Sequence, residues 1–239
     1  MPDRRRLRRA IPRPLRRRLF DWSPSRRQRW RKVPGLRRIP PGAGVALTFD
    51  DGPDDVYTLR LLDLLAELGA TATFFVIGER VAAQPRIARE ITERGHELGL
   101  HGMTHRRHDR LGEEEARRDL SLGLETIEQA SGRRPRWYRP PYGASSLALA
   151  TICSELGLRI AYWSAWGQDW EEIPGAEIAR LALRGFGAGS VILLHDSALY
   201  AERGNAEPTL EAVPIIAGSA LELGLELVSL GAALNGNDD

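Results

Sequence analysis

Val45-Ala46-Leu47-Thr48-Phe49 is a continuous short run, apolar but for one threonine, closed at once by Asp50-Asp51-Gly52-Pro53. A run of this length reads as a buried strand. Paired acids followed by Gly-Pro read as a tight turn at its carboxyl end. From this point strand and helix signals alternate. Leu61, Leu64, Leu65 and Leu68 recur at helical spacing, and Gly69 supplies a left-handed stop. Thr71–Val76 reads as a second strand, Pro85–Glu93 as a helix opened by proline, and Glu97–Leu100 as a third strand. Gly112–Ser131 reads as a helix with Glu113, Glu114 and Glu115 at the positive end of its dipole. Arg136–Tyr138 is a brief strand. Ser145 is expected to cap a helix whose apolar face is Leu149, Ile152, Cys153 and Leu156. Arg159–Trp163 reads as a strand, Ala176–Leu183 as a helix and Ser190–Leu194 as a strand. A last helix over Leu210–Leu223, with Pro214 resetting its start, precedes a final strand near Leu225–Leu230. Three helices end on the same phrase, at Glu67–Gly69, Glu155–Gly157 and Glu222–Gly224, which is repeated helix-stop chemistry. The alternation predicts an α/β fold, a parallel sheet of about seven strands flanked by helices and closed or partly closed into one barrel.

Parallel α/β folds carry their sites at the carboxyl ends of the strands. Asp50 and Asp51 follow the first strand. His101 and His105 follow the third. Arg139-Pro140-Pro141-Tyr142-Gly143 follows the fourth. Gly167-Gln168-Asp169-Trp170 and His195-Asp196 follow the next two. Two histidines four apart can face one metal, and an acid from another strand end makes a third ligand. Three protein ligands leave a position open, as a catalytic metal site needs. Such a metal polarises a carbonyl and lowers the pKa of bound water from 15.7 to about 7. Two adjacent carboxylates repel unless one meets a metal and the other a cation.

The chain has 239 residues and a formal charge of +2. That figure conceals a division. Residues 1–40 hold 16 of the 34 basic residues and 2 of the 32 acidic ones, a net of +14, and the remainder sums to −12. Residues 1–42 therefore read as a basic Arg/Pro-rich arm, partly disordered or packed on the surface, ahead of a catalytic domain over residues 43–239. The acidity of that domain excludes a wholly basic nucleic-acid-binding fold for it. The single cysteine, Cys153, excludes an internal disulfide framework. The most apolar stretch, Ala217–Leu234, carries Glu222 and Glu226 and is not a spanning helix. The N-terminus shows no apolar segment of a secretory signal, so the expected location is the cytoplasm or the cytoplasmic face of a membrane.

Five segments together resemble the polysaccharide deacetylase family, the NodB-like group of carbohydrate esterase family 4. They are Thr48-Phe49-Asp50-Asp51-Gly52-Pro53, His101-Gly102-Met103-Thr104-His105, Arg139-Pro140-Pro141-Tyr142-Gly143, Asp169-Trp170 and Leu193-Leu194-His195-Asp196, in the family's order over about residues 44–231. The resemblance implies a distorted (β/α) barrel, the NodB homology domain, and a divalent metal, zinc first, with cobalt or nickel as alternatives. It implies Asp51, His101 and His105 as ligands, Asp50 as catalytic base, Arg139 as its charge partner, and His195 as catalytic acid with Asp169 oriented to it. Pro141, Tyr142, Trp170 and Leu194 fall to the substrate pocket, with the Tyr142 N–H offered to the oxyanion. The implied reaction is hydrolysis of acetyl groups from N-acetylated, or O-acetylated, sugars and glycans. Two positions depart from the pattern. Gly102 stands where Ser or Thr is common, and Trp166 stands where the family often has an acid.

Other residues are left outside the site. His96 is expected to bond locally, His108 to be a solvated loop histidine, and Cys153 to be core. Asp196 is read either as a brace of the site or as a structural residue, and Glu171 and Glu172 as solvated. Two other functions compete: an amidase or deformylase of the same fold on a non-glycan C–N bond, and a non-catalytic module held by its arm. The arm's expected contacts are an anionic membrane surface or the acidic barrel, with nucleic acid disfavoured. Nothing in the sequence fixes the oligomeric state.

Overall fold

The computed structural model describes residues 33–235. The basic arm up to residue 32 lies outside the described residues. β1 (Val45–Asp50) is buried along its whole length, as a strand covered on both faces must be. It sits at the centre of a parallel sheet with β2 (Thr73–Val76), β3 (Glu97–Leu100), β4 (Trp137–Tyr138), β5 (Arg159–Ile160), β6 (Ala165–Trp166) and β7 (Val191–His195). The order is β5-β4-β3-β2-β1-β7-β6, and β8 (Leu227–Val228) pairs with the start of β1. This is the expected barrel, open between β5 and β6. Residues 33–39 lie by that opening. Leu36 N–H donates to the Ile160 carbonyl at 2.8 Å, Tyr162 N–H to Leu36 at 2.7 Å, and Ile39 N–H to Gly189 at 3.0 Å. Val33 and Ile39 are buried in the core, so this part of the chain packs on the barrel.

The helices are α1 (Tyr57–Glu67), α2 (Gly78–Ala83), α3 (Pro85–Glu93), α4 (Glu113–Ser131), α5 (Leu147–Glu155), α6 (Gly175–Ala182), α7 (Glu207–Glu222) and α8 (Leu230–Asn235). The repeated Glu-Leu-Gly phrase does stop three of them. At α1, Gly69 takes φ +61°, and the Gly69 and Ala70 N–H groups bond back to Ala66 and Leu65. Gly157 and Gly224 repeat this at α5 and α7, which makes each end a Schellman motif. No described helix is long and apolar enough to cross a membrane.

Several boundaries differ from expectation. Ser146, not Ser145, caps α5 by accepting from the Leu149 N–H, while the Ser145 hydroxyl meets the Tyr162 hydroxyl. Of the expected strand over Arg159–Trp163 only Arg159–Ile160 pairs as a strand, and a further strand, β6, follows at Ala165–Trp166, because the chain leaves one sheet edge after β5 and joins the other. α7 begins at Glu207, with Pro208 in its first turn, and runs through Pro214. After β8 the chain turns into α8 rather than extending. Thr73 and Glu97 accept the N–H groups of Leu230 and Gly231, which anchors that helix start under the barrel.

Candidate functional site

The strand ends singled out in the sequence bring their side chains together at the carboxyl end of the sheet. Asp50 ends β1 and Asp51 follows it, His101 follows β3, Arg139 follows β4, Asp169 lies beyond β6, and His195 ends β7. Three non-glycine residues there hold left-handed backbone: Asp51 (φ +78°), Tyr142 (φ +62°) and Gln168 (φ +54°). Strain of this kind gathers where side chains must be aimed. Gly52 is required for another reason. A Cβ there would run into the Asp196 carboxylate.

Asp51 Oδ1 lies 3.4 Å from His101 Nε2 and 3.3 Å from His105 Nε2. Asp51 Oδ1 is buried and has no hydrogen-bond partner among the described residues. Ligand atoms on a tetrahedral ion with bonds of about 2.0–2.1 Å stand about 3.3–3.4 Å apart, so one carboxylate oxygen and two imidazole nitrogens are spaced for a divalent metal. Charge agrees. Burial raises the Asp51 pKa, but the histidines around it, His101, His195 and His105, outweigh this and hold it below the ordinary carboxylate range. Burial pushes the His105 pKa down to about 4 against the pull of Asp51, keeping the imidazole neutral and able to ligate. The His101 Nδ1–H donates to the Arg139 carbonyl at 2.7 Å, which turns Nε2 toward Asp51.

Asp50 points to a different partner. The Arg139 guanidinium, fully buried, donates to Asp50 Oδ1 at 2.8 Å and to the Thr48 hydroxyl at 2.7 Å. Its other nitrogens reach the Ala161 and Tyr162 carbonyls, and it lies over the Phe75 ring at 4.1 Å. On the facing wall, His195 Nδ1 meets Asp169 Oδ1 at 2.8 Å, and Asp169 Oδ2 accepts from the His195 N–H at 2.7 Å and the Thr209 hydroxyl at 2.8 Å. Burial opposes charge on His195, yet Asp169 dominates and lifts its pKa to about 9. The rim holds Tyr142, 58% exposed, and Trp170, whose ring meets His195 edge-on at 5.6 Å. Pro141 and Leu194 are buried. Trp166 is partly buried against the core.

His108 is not a solvated loop residue. It is buried, its Nε2 lies 2.8 Å from Asp119 Oδ1, and its Nδ1 lies 3.0 Å from the Tyr138 hydroxyl. Asp119 also accepts from the Met103 N–H at 2.7 Å and the Thr104 hydroxyl at 2.7 Å. This network braces the loop between His101 and His105, where Gly102 brings no hydroxyl. The sequence gives no periodic signal for His108, because the brace joins a loop to a helix 11 residues away. Asp196 is buried, accepts from the Thr58 hydroxyl and has its pKa pushed up to about 7 by burial. His96 accepts from the Ala72 N–H and Cys153 is core, as expected. Arg203 and Thr209 escaped sequence reasoning. Arg203 donates to the His195 carbonyl at 3.0 Å from a loop with no recognisable pattern.

Residues 37–161 match the family model described as polysaccharide deacetylase. A chitooligosaccharide deacetylase of Sinorhizobium fredii is 36% identical over 192 residues, covering 78% of this chain and 89% of the relative. A peptidoglycan-N-acetylglucosamine deacetylase of Bacillus cereus is 37% identical over 169 residues, covering 69% of this chain and 76% of the relative. Among solved structures, a peptidoglycan N-acetylglucosamine deacetylase in complex with an N-hydroxybenzamide superposes with a TM-score of 0.79 at 29% identity, covering 90% of this chain and 98% of that one.

Proposed function

The chain belongs to the polysaccharide deacetylase family of hydrolases, and from that premise we propose that it removes acetyl groups from N-acetylglucosamine-containing glycans with a divalent metal held by Asp51, His101 and His105. One observation carries the reading. The buried, unpartnered Asp51 oxygen converges with two imidazole nitrogens, between an Asp50–Arg139 pair on one side and a His195–Asp169 pair on the other. The activities for which the relatives are named, deacetylation of peptidoglycan N-acetylglucosamine and of chitooligosaccharides, support the substrate class.

When bound, the divalent ion supplies Lewis acidity toward the acetamide oxygen and the attacking water. Asp50 takes the proton from that water. Arg139 pairs with the Asp50 carboxylate through Oδ1 and fixes it, which leaves Oδ2 as the basic atom. The exposed position of Tyr142 on a left-handed turn suits its N–H for the developing oxyanion, and one such donor contributes about 2.7–4 kcal/mol. His195, held protonated by Asp169, gives its Nε2 proton to the departing amine. In this reading Trp170 and Leu194 wall the acetyl pocket, and Pro141 belongs to the substrate site. Zinc suits a carboxylate with two imidazoles, and cobalt or nickel are the next choices.

Acetate release from a panel of N-acetylated and O-acetylated oligosaccharides, with and without chelator, tests the reading. Chelator-sensitive release from an N-acetylglucosamine oligomer is the expected result. Release from none of them, by a protein loaded with metal, overturns it in favour of an amidase on another C–N bond. The arm up to residue 32 lies outside the described residues, and we propose an anionic surface, or the acidic barrel, as its contact on charge alone.

A further inference from the structure

The two histidines of the proposed metal triad are held in unlike ways. His101 Nδ1 has the carbonyl of Arg139 at 2.7 Å. His105 Nδ1 is buried and has no hydrogen-bond partner among the described residues. An imidazole with a free Nδ1 can rotate about its χ2 torsion and present either nitrogen, unless packing fixes it. Ligating histidines are ordinarily fixed through the second ring nitrogen.

Packing does fix His105. The Tyr200 ring stacks on it at 4.1 Å between centroids and 23° between planes, and Tyr142 meets it edge-on at 4.7 Å. Tyr200 is itself tied down, since its hydroxyl donates to Glu79 Oε1 at 3.0 Å. Glu79 lies in the first turn of α2, whose Gly78 and Glu79 N–H groups bond to the Gly102 and Met103 carbonyls at 2.9 and 3.0 Å. Glu79 therefore joins the loop that carries His105 to the ring that covers it. The site has no alternative within reach at residue 102. Gly102 holds φ +97°, and the space of a Cβ there is filled by His108, with His108 Cε1 2.5 Å away.

We propose that Tyr200 is a positioning residue for His105, holding its imidazole by ring stacking where His101 is held by a hydrogen bond. The proposal rests on the metal reading given above. Once His105 ligates a dication, its ring becomes electron-poor, and the negative face of the phenol ring attracts it more strongly.

Zinc affinity measured by competition with a chromophoric chelator, and the visible spectrum of the cobalt-loaded protein, test this on the full chain. Tyr200→Phe keeps the ring and loses only the tie to Glu79, and is expected to stay within a few-fold of the parent affinity and to keep the parent spectrum. Tyr200→Ala, and Tyr200→Leu, which fills volume without a flat ring, are expected to weaken zinc by about 10–100-fold and to move the cobalt bands. The melting temperature of the metal-free proteins is expected to stay close to that of the parent. Zinc bound equally by all four proteins overturns this inference alone. So does a loss of affinity matched by an equal loss of metal-free stability, which marks mere packing. Absence of zinc binding in the parent overturns the metal reading and this inference with it.

Discussion

Asp50 and His195 are register partners on the adjacent parallel strands β1 and β7. The proposed base and the proposed acid thus leave the sheet side by side, one turned to Arg139 and the other to Asp169. A single ladder sets their separation, so a change to either side chain need not move the other.

Replacing Asp50 with Asn keeps the size of the side chain and removes the basic oxygen. Zinc content is expected to stay at the parent level while turnover falls by about 10²–10⁴-fold, the usual contribution of a positioned base. Metal analysis beside a rate measurement checks this, and an active Asp50→Asn enzyme removes Asp50 from the role. Arg139→Met should behave differently, because it strands a buried carboxylate. A stability loss of about 3–5 kcal/mol is expected in denaturant unfolding.

The His195–Asp169 pair gives a prediction with a sign. The folded-state pKa of His195, about 9, lies above the ordinary 6.5. Protonated His195 therefore adds to folding stability fully below about pH 6.5, and the contribution is lost as pH rises through about 9. The proposed acid also disappears over that range, so activity should fall on the alkaline side. Asp169→Asn takes away the charge that opposes burial. The alkaline limb of kcat/KM should move to lower pH by about 1–3 pH units. An unmoved limb would mean that another group sets it.

The parts of the fold that the sequence expressed locally were legible in it. The buried run of β1, the helix of α1 and the three Glu-Leu-Gly stops each depend on neighbouring residues, and each is where the pattern put it, although α1 buries Leu61, Leu62 and Leu65 and leaves Leu68 exposed. The five strand-end segments were legible because parallel topology brings all carboxyl ends to one face. Contacts between distant segments were not. The split of β5 from β6 depends on which sheet edge each joins. The burial of His108 depends on Asp119 and Tyr138. Tyr200 stacks on a histidine 95 positions earlier in the chain, from a loop with neither helical nor strand spacing.

Metal binding should register in stability as well as in rate. The ligand atoms sit together in the folded chain alone, so zinc at about a hundred times its dissociation constant adds about 2.7 kcal/mol. For a chain of this size that is a rise in melting temperature of about 5–10 °C. Asp51→Ala should abolish the rise. A zinc-dependent rise that survives Asp51→Ala would put the ion elsewhere.

Gly102→Ser installs the residue common at this position in the family, and here it is expected to harm. The backbone at φ +97° disfavours any side chain, at a cost of about 1–3 kcal/mol. A Cβ would also stand 2.5 Å from His108 Cε1 and 2.7 Å from the Thr104 carbonyl oxygen. The two costs can be separated with His108→Ala, which clears the first of these contacts but leaves the backbone strained. Gly102→Ser should therefore cost less stability in the His108→Ala background than in the parent, a coupling visible in a double-mutant cycle by denaturant unfolding. Strict additivity would mean that the loop relaxes around the new side chain, and that the packing of His108 against Gly102 is not what keeps a glycine there.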